Sequence, residues 1–285
     1  MSDVVVVGDV MVDVVVRPHG PLLPGTDRAA EISVGGGGSA ANVACWLAAC
    51  GVRVTLAARV GAADRAARTA DLRAHGVVPH LAADQDRATG RVVALIQADG
   101  ERSFYTDRGA NAGLCEADLP VTLLDGARTL HVSGHALIGS AAARPLMREA
   151  RARGITVSVD AGSAAWLVGN TVDFLARLLA TQICFANAQE AALLWPDRVP
   201  SLPDGVVVVT RGRAGASAYQ RGNQIDVAAP QVPLINSLGA GDGFAAGFLA
   251  ARLHSRDLGP CLAGGVALAA RALATSGGRP IVAQR

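Results

Sequence analysis

The residues best suited to chemistry fall in one run, Asn236-Ser237-Leu238-Gly239-Ala240-Gly241-Asp242-Gly243-Phe244. Its glycines let backbone N–H groups converge, and Phe244, Phe248, Leu249 and Leu253 then mark the apolar face of a helix. A helix N-terminus combines free N–H groups with the positive end of a dipole, which makes an anion site. Asp242 sits inside that turn. A carboxylate there repels a bound phosphate, so it serves either as a base toward an incoming hydroxyl or as a plain helix cap. A second run, Gly35-Gly36-Gly37-Gly38-Ser39-Ala40-Ala41-Asn42-Val43-Ala44, sets small residues ahead of another helix. A ligand can approach such a backbone closely, and Asn42 offers a donor and an acceptor to a hydroxyl. A flexible glycine hinge with Asn42 on the helix surface fits the same residues. Asp13, between Val12 and Val14, is either a surface-facing strand residue or a ligand for paired hydroxyls.

The elements that must position these groups alternate. A strand at Val4 to Val7 turns at Gly8-Asp9 and continues extended through Val16. A helix from Ser39 to Cys50, a strand from Val52 to Val60 and a helix over 64–75 follow. Ala98-Asp99-Gly100 between two extended runs predicts a hairpin. From residue 129 on, the pattern is regular: strands at 129–133, 155–160, 182–186 and 205–210, and helices at 140–153, 171–180, 188–195, 240–254 and 260–276. A hairpin-like region covers 215–227. This alternation predicts an α/β fold with a mostly parallel sheet covered by helices on both faces. Two extended regions, about 14–34 and 88–107, break the pattern and are expected to form a small β-sheet lid. The core then takes about 1–13, 35–87 and 108–285 of a single domain spanning 1–285.

Composition excludes several classes of function. All 26 basic residues are arginine; the chain has no lysine, which rules out a Walker A loop, a protein-kinase phosphate lysine and a Schiff base. The net charge of +2 comes without any block of like charge, so neither nucleic acid nor a membrane surface is an expected partner. Asp9, Asp13 and Arg271 interrupt the longest apolar runs, and the first residues lack the pattern of a signal peptide, so a cytoplasmic location is expected. Five scattered cysteines read as free thiols. After the first strand the chain reads Gly8-Asp9-Val10-Met11-Val12, without the closely spaced glycines of a dinucleotide site.

In this order and spacing, the two glycine-rich runs resemble the paired signatures of the ribokinase family of carbohydrate kinases (the PfkB family), and the resemblance extends end to end. Gly37 to Ala44 is similar to the N-terminal signature and Gly239-Ala240-Gly241-Asp242 to the C-terminal one. Asn187-Ala188-Gln189-Glu190 matches the family's Asn-x-x-Glu element, and Thr210-Arg211-Gly212 with Gly215 its nucleotide-side strand end. Arg59-Val60-Gly61 with Asp64, and Arg108-Gly109-Ala110-Asn111, also sit where the family has similar runs. The resemblance implies a Rossmann-like core with a β lid, and ATP-dependent phosphorylation of a hydroxyl on a sugar or sugar-like molecule. Asp242 would deprotonate that hydroxyl while the N–H groups of Gly239, Ala240 and Gly241 hold the transferring phosphoryl. Asp13, Gly37, Gly38 and Asn42 would hold substrate hydroxyls. Asn187, Thr210, Gly212 and Gly215 would lie on the nucleotide side, with Glu190 toward Mg2+. The family's C-terminal signature usually opens with Asp-Thr where this chain has Asn236-Ser237. That removes a charge from the neighbourhood of a monovalent cation, so little stimulation by potassium is expected.

Three other readings compete. A nucleoside kinase would need groups to stack on a base, and the lid offers Phe104 and Tyr105. A phosphosugar kinase would use Arg108 on the substrate's phosphate. A catalytically silent sugar-binding regulator would have no need of Asp242 in an intact glycine turn. His131 and His135 are expected to be core or rim histidines, and Asp160 either faces the site or caps a turn. The unpaired edges of a lid sheet suggest a homodimer formed through it.

Overall fold

The computed structural model describes the chain except for residues 22–23, 98–101, 201, 203, 233–237, 276 and 283–285. Its strands are β1 (Val4–Val7), β2 (Met11–Pro18), β3 (Ala30–Gly37), β4 (Val54–Gly61), β5 (Val78–Asp84), β6 (Thr89–Ile96) and β7 (Arg102–Gly109), then β8 (Thr129–Val132), β9 (Thr156–Asp160), β10 (Ile183–Asn187), β11 (Val206–Thr210), β12 (Ala216–Gln220) and β13 (Asn223–Val227). The helices are α1 (Ser39–Ala49), α2 (Arg65–Ala74), α3 (Gly134–Gly139), α4 (Ala143–Ala152), α5 (Ala164–Leu167), α6 (Thr171–Arg177), α7 (Ala188–Leu194), α8 (Ala240–Arg252) and α9 (Leu258–Leu273). A large sheet runs in the order β13-β12-β11-β10-β9-β8-β1-β4-β5, and a second, smaller one in the order β3-β2-β6-β7. In the large sheet only β12 and β13 run antiparallel to their neighbours. The expected mixed α/β architecture, with a mostly parallel sheet and a smaller sheet beside it, is the one present.

Alternation along β1 shows why the sheet is covered twice. All four valines of β1 are fully buried; Val4 and Val6 face one core with α1, α8 and α9, while Val5 and Val7 face the other with α3, α4 and α6. Burying a valine completely stabilises the fold by roughly 1.5–3 kcal/mol, so this short strand alone anchors both layers. Periodicity missed β5, which carries Pro79 and His80; it is the outer strand of the sheet, where a proline does not break the ladder. It also missed α3, too short to show a helical period and started by the Ser133 side chain, which accepts from Ala136 N. The Ala98-Asp99-Gly100 turn lies outside the described residues, but β6 and β7 on either side pair antiparallel.

From β1 the sheet grows one way through β4 and β5 and the other way through β8 to β11. Crevices open at the carboxyl ends of strands where the order reverses in this way. Gly8-Asp9 after β1 and Ser133 after β8 stand at that point, and Ser133 Oγ donates to Asp9 Oδ1 at 2.9 Å. Among the described residues no helix is long and apolar enough to cross a membrane.

Candidate active site

Gly239 opens α8 in the left-handed region, at φ 74°. A Cβ there would also fall 2.5 Å from the carbonyl oxygen of Gly278, so only glycine fits both the turn and its neighbour. Asp242 lies in the first turn of α8. Ser39 Oγ donates to its Oδ1 at 2.7 Å and Asn42 Nδ2 to its Oδ2 at 2.8 Å. The two glycine runs, some two hundred residues apart, thus meet on one carboxylate. Burial pushes Asp242 up to about 7, against the two hydrogen bonds and with help from the negative charges of Asp160 and Asp9. A carboxyl poised near neutrality can both accept a proton and give it up.

The substrate-side candidates separate into different roles. Asp13 is half-buried within β2, in the small sheet, and its side chain makes no hydrogen bond among the described residues. Burial pushes it up to about 6, opposed by Arg279 and reinforced by Asp9. It is therefore free to receive hydroxyl donors. Gly37 leaves it room, since a Cβ on Gly37 would lie 1.9 Å from Asp13 Oδ1. Gly38 precedes α1 and packs on the backbone of Asp9. Asn42 spends most of its amide on the protein: Nδ2 goes to Asp242, and Oδ1 accepts from Arg279 Nε at 3.2 Å. Its second N–H is what remains for a substrate. Arg108 ends β7 with its guanidinium 5.4 Å from the ring centre of Trp166, and His135 meets the same ring edge-on.

A cavity of about 150 Å³ opens beside Asp242, lined among others by Asp160, Asn187, Glu190, Thr210 and Gly241. Asn187 and Glu190 form a reciprocal cap on α7: Asn187 Oδ1 accepts from Glu190 N at 2.9 Å, and Glu190 Oε2 accepts from Asn187 N at 2.8 Å. Burial pushes Glu190 up to about 7, opposed by the Asn187 backbone N–H and reinforced by Asp160. Asp160 Oδ1 accepts from Gly134 N at 3.0 Å, so the capping role holds for that oxygen. Its Oδ2 is buried with no hydrogen-bond partner and lies 3.4 Å from His131 Nε2. An orphaned carboxylate oxygen beside a second carboxylate suits magnesium, which binds through one or two carboxylates plus phosphate oxygens and water. No cluster of three or more acidic, His or Cys residues able to hold a metal by itself occurs among the described residues. A second, mainly apolar cavity of about 220 Å³ lies behind the turn, lined by Thr210, Gly212, Gly215, Pro230, Phe244 and Ala269 among others.

Three residues around Asp242 and Asn42 are not assigned by sequence reasoning. Ser39 lies in the N-terminal glycine-rich run but carries no role of its own in the sequence, Arg279 lies in no motif, and Asp160 stands between two roles. Asn236 and Ser237, which carry the potassium expectation, lie outside the described residues.

A model of the pfkB family carbohydrate kinases matches residues 1–284. This chain belongs to that family. As a pfkB-family kinase it is a phosphotransferase with a hydroxyl acceptor. An ATP-dependent ribose-1-phosphate kinase of Halopiger xanaduensis is 30% identical over 267 residues, covering 90% of this chain and 87% of that protein. Among solved structures, a probable sugar kinase from Rhizobium etli superposes with a TM-score of 0.85 at 24% identity, covering 98% of this chain and 95% of that one. A putative ribokinase II from E. coli in complex with ATP and Mg2+ gives 0.84 at 24% identity, with 98% and 94% covered. At these identities the structural likenesses concern the fold; the pfkB-family kinase shares it from end to end.

Proposed function

We propose that this kinase transfers the γ-phosphoryl group of ATP to a hydroxyl of a sugar or sugar-like molecule, with Asp242 as general base. The observation that carries this reading is Asp242 itself, held by Ser39 and Asn42 at the mouth of a helix N-terminus and raised to about 7. Asp13 and the backbone at Gly37 and Gly38 orient the acceptor. Asp242 takes the proton of its hydroxyl, whose oxygen forms the new bond to phosphorus while the bond to the ADP oxygen breaks. The N–H groups of Gly239, Ala240 and Gly241 face the charge that develops on the transferring group. Thr210, Gly212 and Gly215 accommodate the nucleotide in the apolar cavity, and Asn187 faces its phosphates. Glu190, with Asp160, would hold Mg2+, which offsets phosphate charge when bound. Core and lid act as one catalytic unit in the cytoplasm.

Arg108 supports a second reading, a phosphosugar acceptor. Its guanidinium stacks on Trp166 and makes no hydrogen-bonded ion pair among the described residues, its charge reaching Asp9 only through space, and the buried Nδ1 of His135, whose ring meets Trp166 edge-on, has no hydrogen-bond partner. Such free donors suit an anionic group on the acceptor. The lid also favours a homodimer: Val34, Val14, Val93 and Tyr105 form one row across all four strands, with Val34 69% and Tyr105 65% exposed. Measuring ADP release with ATP, Mg2+ and a panel of pentoses, hexoses, ketoses, their phosphates and nucleosides tests the assignment. Turnover on a sugar supports it, turnover on phosphosugars alone selects the second reading, and turnover on nucleosides alone rejects both.

A further inference from the structure

Arg279 belongs to no glycine signature and follows the last helix, yet it is only 8% exposed. Its guanidinium is fully engaged at the back of the site. Nε donates to Asn42 Oδ1 at 3.2 Å, Nη2 donates to the carbonyl of Gly37 at 2.8 Å, and Nη1 pairs with Asp71 on α2. The surroundings are shaped to admit it. A Cβ on Gly36 would fall 2.2 Å from Nη1, so with any other residue at this point of the strand the guanidinium would have to shift from its place. The neighbouring Gly278 is held by Trp46, whose Nε1 donates to its carbonyl at 2.9 Å, and a Cβ on Gly278 would press on Asn42 Nδ2 at 2.7 Å.

An amide can turn over, exchanging its oxygen and its NH2 at little cost, unless its partners forbid it. Arginine has no acceptor, so whichever end of Asn42 faces Arg279 must be the oxygen. The NH2 is then forced toward Asp242 and donates to it. Without that constraint the oxygen could face the carboxylate, removing a donor and adding a repulsive dipole. The same guanidinium grips Gly37 at the end of β3, so the lid strand and the base share one anchor. We propose that Arg279 is a positioning residue for phosphoryl transfer, fixing the Asn42 amide so that Asp242 faces an N–H and tying that arrangement to the lid strand. The inference rests on Asp242 being the base.

The titratable and hydrogen-bonding groups around Asp242 come from several elements, of which Asp9 and Asp160 raise its proton affinity. Asp9 after β1, Asp160 ending β9 and Glu190 on α7 are acidic neighbours of the cleft, and Ser39 and Asn42 on α1 are its donors. Loss of one hydrogen bond to a charged group corresponds to about 10–100-fold in rate. Arg279→Met should therefore lower kcat by about that factor, leave the ATP KM in place and move the acid limb of the kcat–pH profile upward. Arg279→Lys, also a donor without an acceptor, should bring the limb back even where packing losses keep kcat low. Because Arg279 acts through Asn42, Arg279→Met added to Asn42→Ala should cost little beyond Asn42→Ala alone. Melting curves of every variant separate unfolding from misplacement. An unmoved acid limb in Arg279→Met, or full additivity with Asn42→Ala, would overturn the proposal and leave Arg279 a structural residue. Retained turnover in Asp242→Asn would instead remove the base on which it rests.

Discussion

Two carboxylates at two helix N-termini behave in opposite ways. Asp9 faces the start of α1, where Ser39 N donates to its Oδ2 at 2.9 Å and the Ser133 hydroxyl to its Oδ1. Burial pushes Asp9 up, but His135, Arg108 and the Ser133 hydrogen bond outweigh it and hold the carboxyl below its ordinary value. Asp242 stands at the start of α8 with side-chain donors only and with Asp160 and Asp9 as charged neighbours, and it is raised to about 7. A glycine-rich turn before a helix therefore does not by itself decide what its aspartate does. The decision falls to the donors and charges that the rest of the chain brings up. Asp9 is held ionised where it anchors α1, whereas Asp242 is left near neutrality, as the proposed exchange of a proton requires.

Replacing the two residues in turn should break this comparison most sharply. Asp242→Asn should lower turnover by about 10²–10⁴-fold while ATP binding, followed by nucleotide titration, persists. Near-normal turnover would remove Asp242 from the mechanism. A second effect has opposite signs at the two sites. A carboxyl lowered by folding contributes stability that is present above its ordinary 3.8 and lost as pH falls through its folded value. Asp9→Asn should thus destabilise the protein at pH 7 and above, by about 1–3 kcal/mol, with the difference shrinking in acid. A raised carboxyl does the reverse: its stabilisation is present below 3.8 and lost as pH rises to about 7. Asp242→Asn should accordingly melt higher than the parent above pH 7 and gain less as pH falls toward 4. Melting curves at pH 5, 7 and 8.5 read both, and shifts of the same sign at the two sites would sink the distinction.

Glu190→Gln sharpens the comparison on the phosphate side. It keeps the cap on Asn187 but loses the charge, so the magnesium concentration for half-maximal rate should rise by about 10-fold, with a smaller change in kcat. An unchanged magnesium requirement would leave Glu190 a helix cap only. The smallest effect concerns potassium. With Asn236 in place of a carboxylate, potassium at constant ionic strength should stimulate little over a tetramethylammonium control, and a saturable many-fold rise would refute this.

Much of the molecule could be read along the chain. The two glycine runs with Asp242 and Asn42, the Asn187–Glu190 pair and the alternation of strands and helices are local patterns, and local patterns follow from backbone conformation and periodicity. Residues 39–42 and 239–242 taken singly also fit a glycine hinge and a helix cap, and only their order and spacing, which resemble the paired family signatures, point to a shared purpose. Tertiary structure alone decided which carboxylate is raised toward neutrality, because proton affinity depends on burial and on charges arriving from Asp9 and Asp160, neither of them near Asp242 in the chain. It alone turned the Asn42 amide toward Asp242 and brought Arg279 beneath Gly36 and Gly37. Hydrogen bonds and Coulomb interactions act over a few ångströms of space whatever the separation in sequence, and a single arginine after the last helix carries no periodicity to betray where it lands.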